Sequence, residues 1–186
     1  LIGMGLLLGS LFLSTRSPLI SWVLLAVGFV IALAAVRVGN RYVRPPRRDL
    51  VLDKVLKGLD NKYTLYHYYQ PAEHLLLTPS GLIAILPRDQ RGEIVVRGGR
   101  WQQRPFWQQL RFLLGESSLG NPTRDLQLEL AAMGKALAGL PEEVGEVPLE
   151  GVIVFYAKGV RLDVQDSEVP VLVGEDLKVK VRAMAE

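Results

Sequence analysis

The run HLLLTPSGLIAIL, residues 74–86, decides the fold. Its apolar halves, His74 to Thr78 and Leu82 to Leu86, have strand length, and the turn signal Pro79-Ser80-Gly81 between them predicts two directly joined strands. Upstream, Thr64 to Tyr69 predicts another strand. Before it, Asp49 is placed to cap a helix with Leu52, Val55, Leu56 and Leu59 on one face and Asp53, Lys54 and Lys57 on the other. Downstream, Glu93 to Arg97 predicts a strand that ends at Gly98-Gly99. Asn121-Pro122 starts a helix whose Leu126, Leu130, Met133 and Leu137 form one stripe, ended by Gly139 and Pro141. Gly151 to Ala157 is a continuous apolar run, the mark of a strand covered on both faces. The order helix, strand, strand, strand, helix, strand predicts an α/β sandwich over residues 49–186. Val160 to Val164 and Val169 to Val173 predict an added hairpin. From Glu175 onward, alternation at Leu177, Val179 and Val181 competes with a helix start.

The 186 residues carry a net charge of +3, a pI near 9.3 and a mean hydropathy of +0.20. Residues 1–48 hold six arginines and no acid, whereas residues 49–186 hold 16 Lys plus Arg against 19 Asp plus Glu. The basic character therefore belongs to the N-terminal segment, and the domain that follows is mildly acidic. Zero cysteines exclude disulfides, thiolate metal sites and a cysteine nucleophile. With His67 and His74 the only histidines, no metal site is expected. No phosphate-cradling glycine loop is present, and no cofactor is implied.

Leu19 to Val38 is a twenty-residue apolar run with one charge, Arg37, near its end. As a helix it is about 30 Å long, the thickness of a hydrocarbon core. Leu1 to Leu13 is apolar but too short to cross unless the chain begins inside a longer helix, as the absence of an initiating Met suggests. The polar link at 14–18 then predicts a transmembrane hairpin over residues 1–40, in which the GxxxG pair Gly5 and Gly9 permits close helix approach. Residues 41–48 form a basic, proline-containing linker. Arg41, Arg44, Arg47 and Arg48 after the span, against Arg16 in the turn, predict a cytoplasmic domain, at the inner membrane if the cell is prokaryotic. Trp22, Arg41, Tyr42, Arg44, Arg47 and Arg48 are the expected membrane-interface anchors.

The stretch 74–85, followed by Gly92-Glu93-Ile94, Trp101, Asn121-Pro122 and the strand at 151–155, resembles the nuclease-related domain, NERD, over most of residues 49–173. The resemblance implies a restriction-endonuclease-like α-β-β-β-α-β core. In such nucleases an Asp opening the second strand and an acid-x-Lys ending the third hold a divalent cation and poise a water. Here those positions carry Glu73, Leu86 and Arg88. The family's Gln after Asn-Pro falls at Asp125, and its first-helix acid near Leu50, beside Asp49. A leucine cannot ligate, and an arginine poorly replaces a lysine that positions water. The expectation is a catalytically inactive domain, a membrane-anchored accessory, assembly or scaffolding subunit with integral-membrane partners. The alternative is a membrane-tethered nucleic-acid binder or residual nuclease, which requires that Asp89, Glu93 or Asp125 supply the missing carboxylates.

Arg100 to Leu114 reads as an amphipathic segment. Phe106, Trp107, Leu110, Leu113 and Leu114 share a helical face opposite Gln103, Arg104, Gln108 and Arg111. It suits either a helix over the sheet or an element for a partner or the membrane surface, with Arg100, Trp101, Arg104, Phe106, Trp107, Leu110 and Arg111 as candidates. Tyr63, Tyr66, Tyr68 and Tyr69 fit a half-buried strand or base stacking. His74 is expected to be packed, and His67 has no partner visible in the sequence.

Overall fold

The apolar N-terminus forms two helices in the computed structural model, which describes residues 2–13, 17–42, 47–69, 71–105, 118–141 and 145–185. The chain divides into two compact units, Leu1–Arg47 and Arg48–Glu186. In the first, α1 (Ile2–Leu13) and α2 (Pro18–Tyr42) touch, and Ser21 Oγ donates to the Ser10 carbonyl at 2.6 Å. Pro18–Val36, 19 residues of mean hydropathy 2.7, is long and apolar enough to cross a membrane. Leu19, Trp22, Val23 and Val30 are each more than 60% exposed, a surface suited to lipid rather than water. Gly5 and Gly9 are not the close-approach points expected, because a Cβ on either meets nothing within 4 Å. Ser10 and Gly28 are buried instead. Of the expected anchors, Trp22 and Arg47 are exposed. Arg44 and the side chains of Arg41 and Tyr42 lie outside the described residues.

In the second unit, α3 (Arg48–Leu56) starts one residue early, so Asp49 is buried in the first turn rather than capping it. β1 (Thr64–His67) stops short of Tyr69 because Tyr68 turns the chain with a φ of 56°. β2 (His74–Thr78) is as expected, and β3 (Gly81–Arg88) runs two residues further. β4 (Glu93–Arg97) is followed by β5 (Arg100–Arg104), which corrects the amphipathic reading at 100–104: these residues form an antiparallel partner for β4. The rest of that reading, including Phe106, Trp107, Leu110 and Arg111, lies outside the described residues. α4 (Pro122–Leu137) starts where expected, Asn121 Oδ1 accepting from Arg124 N at 3.1 Å. β6 (Leu149–Phe155), β7 (Arg161–Val164), β8 (Val171–Val173), a 3-10 turn and α5 (Leu177–Met184) complete the chain. The ambiguous C-terminus is helical: Leu177 and Val181, one turn apart, are fully buried and Val179 is exposed.

The main sheet has the order β1-β2-β3-β6-β8, with β1, β2 and β3 antiparallel, β6 parallel to β3 and β8 parallel to β6. A smaller sheet has the order β5-β4-β7, with β7 parallel to β4. The hairpin expected at 160–173 is therefore absent. β7 completes the small sheet and β8 the large one, each finding an open strand edge where their mutual pairing would have left both unused. Leu52, Leu56, Leu177 and Val181 of α3 and α5 pack on one face of the main sheet against Ile83, Ile85, Val152 and Val154. On the other face Leu126 of α4 meets Ala84, Leu86, Ile153 and Phe155, joined by Ile94 of the small sheet. This two-sided burial accounts for the unbroken apolar run of β6. Gly151 lets α4 come close, since a Cβ there would stand 2.9 Å from Leu126 Cδ2 and 3.0 Å from Leu130 Cδ1.

Candidate functional site: an arginine–carboxylate cluster

Because β2 and β3 are antiparallel, the residue before β2 and the last residue of β3 lie at the same end of the sheet. Glu73 and Arg88 occupy those places, and α4 crosses that face with Asp125 and Glu129 one turn apart. Arg88 Nη2 pairs with Asp125 Oδ2. Arg48, at the start of α3, donates from Nη1 to Glu73 Oε2 at 3.1 Å and hydrogen-bonds Tyr156 just after β6. Arg48 was expected at the membrane interface. It belongs instead to this cluster, with its side chain only 23% exposed.

Glu129 is the member that sequence reasoning missed. The Glu73 backbone N–H donates to its carboxyl, while its Oε2 is buried with no hydrogen-bond partner. Burial first, and then the Glu73 charge, push the Glu129 carboxyl up to about 7, with Arg88 acting in the opposite direction. Tyr156 is pushed up to about 12 by burial and by Asp89, against the pull of Arg48. Burial works against the Arg48 charge, but Glu73, Tyr156 and Asp89 outweigh it and leave the guanidinium above its ordinary range.

The residues at the nuclease-like positions do different work here. Leu86 is 4% exposed in the core beside Leu126 and Phe155. Arg48 and Arg88 put fixed positive charge against Glu73 and Asp125, where a cation would need free carboxylate oxygens. Among the described residues no three His, Asp or Glu side chains gather as a metal site. Glu93 stands apart in the small sheet, and Asp89 acts on Arg48 and Tyr156. In the first helix Asp49 is buried and Leu50 is 56% exposed.

Beside the cluster His67 and His74 pair directly across β1 and β2, with Nδ1 to Nδ1 at 2.7 Å, and His67 Nε2 reaches Asp53 Oδ1 at 3.1 Å. One of the two Nδ1 atoms carries the hydrogen that joins the rings, and the tautomers set which one donates. His74 is fully buried, as expected, whereas Tyr66 and Tyr69 are exposed. Trp101 is no surface candidate. Its ring stacks on Phe155 at 6.0 Å between centroids and its Nε1 donates to Thr123 Oγ1. Arg100 and Arg104 do lie on the surface.

Arg88 is the cation that Asp125 and Glu129 share. Arg88→Met should lower stability by about 1–3 kcal/mol in denaturant titrations and raise the Glu129 pKa further, read by the carboxyl NMR shift against pH. No family model, curated protein or solved structure matches the chain.

Proposed function

We propose that the chain is a membrane-anchored, NERD-like, restriction-endonuclease-related domain that has lost catalysis and serves as an accessory or scaffolding subunit of a membrane complex. The order α3-β1-β2-β3-α4-β6, with helices on both faces of a mixed sheet, supports the family reading. The apolar helix Pro18–Val36 supports the anchor, and the arginines that follow it support a cytoplasmic domain. The observation that carries the loss of catalysis is the cluster itself: Leu86 lies in the core, and the neighbouring carboxylates are tied to Arg48 and Arg88. A fold that keeps its layers after losing its chemistry persists as a surface.

Two measurements test this reading. Purification in mild detergent should bring down integral-membrane partners in fixed stoichiometry, and the protein should leave DNA and RNA uncut in magnesium or manganese. A solitary monodisperse protein counts against the scaffold. The nucleic-acid alternative rests on Glu129, whose carboxyl accepts from the Glu73 backbone N–H and feels the Asp125 charge. Metal-dependent cleavage abolished by Glu73→Ala would establish that alternative and overturn the first.

A further inference from the structure

One face of the small sheet lies on the core; on the other, Val95 at the centre is also buried, at 3% exposure, while the arginines around it are exposed, and the pleat decides which residues go where. Ile94, Val96, Trp101, Gln103 and Leu162 face inward, where Ile94, Val96 and Gln103 are buried and Gln103 Nε2 donates to the Arg91 carbonyl. Outward, the register brings Arg97 opposite Arg100 and sets Glu93 between Arg104 and Arg161. Arg97, Arg100, Arg104 and Arg161 are all exposed. Arg97 pairs with Asp163 at 2.8 Å, and among the described residues Arg100, Arg104 and Arg161 have no acidic partner within 4 Å. Four arginines against two acids thus stand on one face of a domain that is acidic as a whole. Like charges directly opposite on a sheet, as at Arg97 and Arg100, cost stability, so the fold alone gives no reason for them.

We propose that this outer face docks on anionic lipid headgroups of the bilayer that holds the Pro18–Val36 helix. The proposal rests on the membrane reading above and adds a second, reversible contact to it. Guanidinium groups take phosphate oxygens in paired hydrogen bonds, and a row of them suits a phosphate-bearing surface. A nucleic acid fits less well, because a polyanion extending past the patch meets the acidic remainder of the domain. Lipid also needs little intrinsic affinity. The chain passes from α2 to α3 between Tyr42 and Arg48, and so short a tether supplies the surface at high effective concentration. Each basic side chain near an anionic leaflet then adds attraction that salt screens.

The chain has no cysteine, so Gln102→Cys, on the exposed outer face of β5, gives a single labelling site. The full chain with a fluorophore there is reconstituted into nanodiscs of phosphatidylcholine alone or with one-third phosphatidylglycerol, each carrying headgroup-nitroxide lipid. Quenching is expected to be at least about twofold stronger in the anionic discs. The excess should vanish in 0.5 M NaCl and in the triple variants Arg100→Glu/Arg104→Glu/Arg161→Glu and Arg100→Gln/Arg104→Gln/Arg161→Gln, whose changed side chains break no ion pair. Equal quenching in both discs overturns the proposal, as does an excess that survives the variants. Protection of the label by a duplex oligonucleotide at 0.15 M salt in neutral discs overturns it in favour of nucleic acid. Failure of the chain to enter discs at all would instead refute the anchor, and the lipid docking with it.

Discussion

Gly81→Ala is expected to destabilise the domain by about 3–5 kcal/mol, enough to remove most of the stability of a fold this size. Gly81 opens β3 with a φ of 149°, a region closed to residues with a Cβ. Its surroundings are as restrictive as its torsion. An added Cβ would press on the Pro148 carbonyl oxygen and lie 2.9 Å from Pro148 Cβ. The first of these is backbone and cannot swing aside. It is also engaged, since Pro148 O accepts from Leu82 N at 2.8 Å, fastening the start of β3 to the chain entering β6. The turn before it is equally committed, with Thr78 Oγ1 donating to Gly81 O at 3.0 Å. Relief of the clash therefore opens either the β2–β3 turn or the β3–β6 junction. Urea titration of the full chain in detergent, followed by far-UV circular dichroism, measures the loss. Ser80→Ala, one residue away and exposed, should stay within about 0.5 kcal/mol of the parent.

That same turn shows what a sequence discloses. Pro79-Ser80-Gly81 between two apolar runs is local information, as are the Asn121 cap and the Leu126, Leu130 and Met133 stripe of α4, and all of these have their expected places. Pairing between distant strands is not local. Nothing in residues 160–173 says that β7 seeks β4 and β8 seeks β6, because a short amphipathic strand fits any open edge. The segment after Gly98-Gly99 was misread for a related reason: RWQQR has no clear period, and β5 is set by the hairpin partner that its Trp101 and Gln103 find inside. The cluster was half legible. Glu73, Leu86 and Arg88 stood out through a family resemblance, whereas Arg48 was absorbed into a run of linker arginines. Glu129 looked like any polar residue of a helix. The available signal was its spacing of four from Asp125 and its place next to Leu130 of the apolar stripe, which puts it at the helix–sheet margin. His67 gained its partner only once β1 and β2 were in register, where it stands directly opposite His74.

Glu129→Gln should convert that margin into a measurable pH dependence. In the parent protein the carboxyl titrates near 7 when folded, because burial and Glu73 disfavour its charge, and near 4.5 in the unfolded chain. Between these values the folded state binds the extra proton, so stability falls as pH rises from about 4.5 to about 7. Below that window the group is protonated in both states and costs nothing. Above it the fold carries a partly buried carboxylate next to Glu73, with an oxygen that nothing solvates. Glutamine keeps the shape and the acceptor oxygen for the Glu73 N–H and cannot ionise. The variant should therefore match the parent near pH 4 and exceed it by roughly 1–3 kcal/mol at pH 8, in denaturant midpoints taken across the range. A constant difference between the two proteins at every pH would show that Glu129 does not titrate in the window. A variant weaker at pH 8 would show instead that Arg88 needs the Glu129 charge as well as that of Asp125, making the cluster an ion network with both carboxylates ionised.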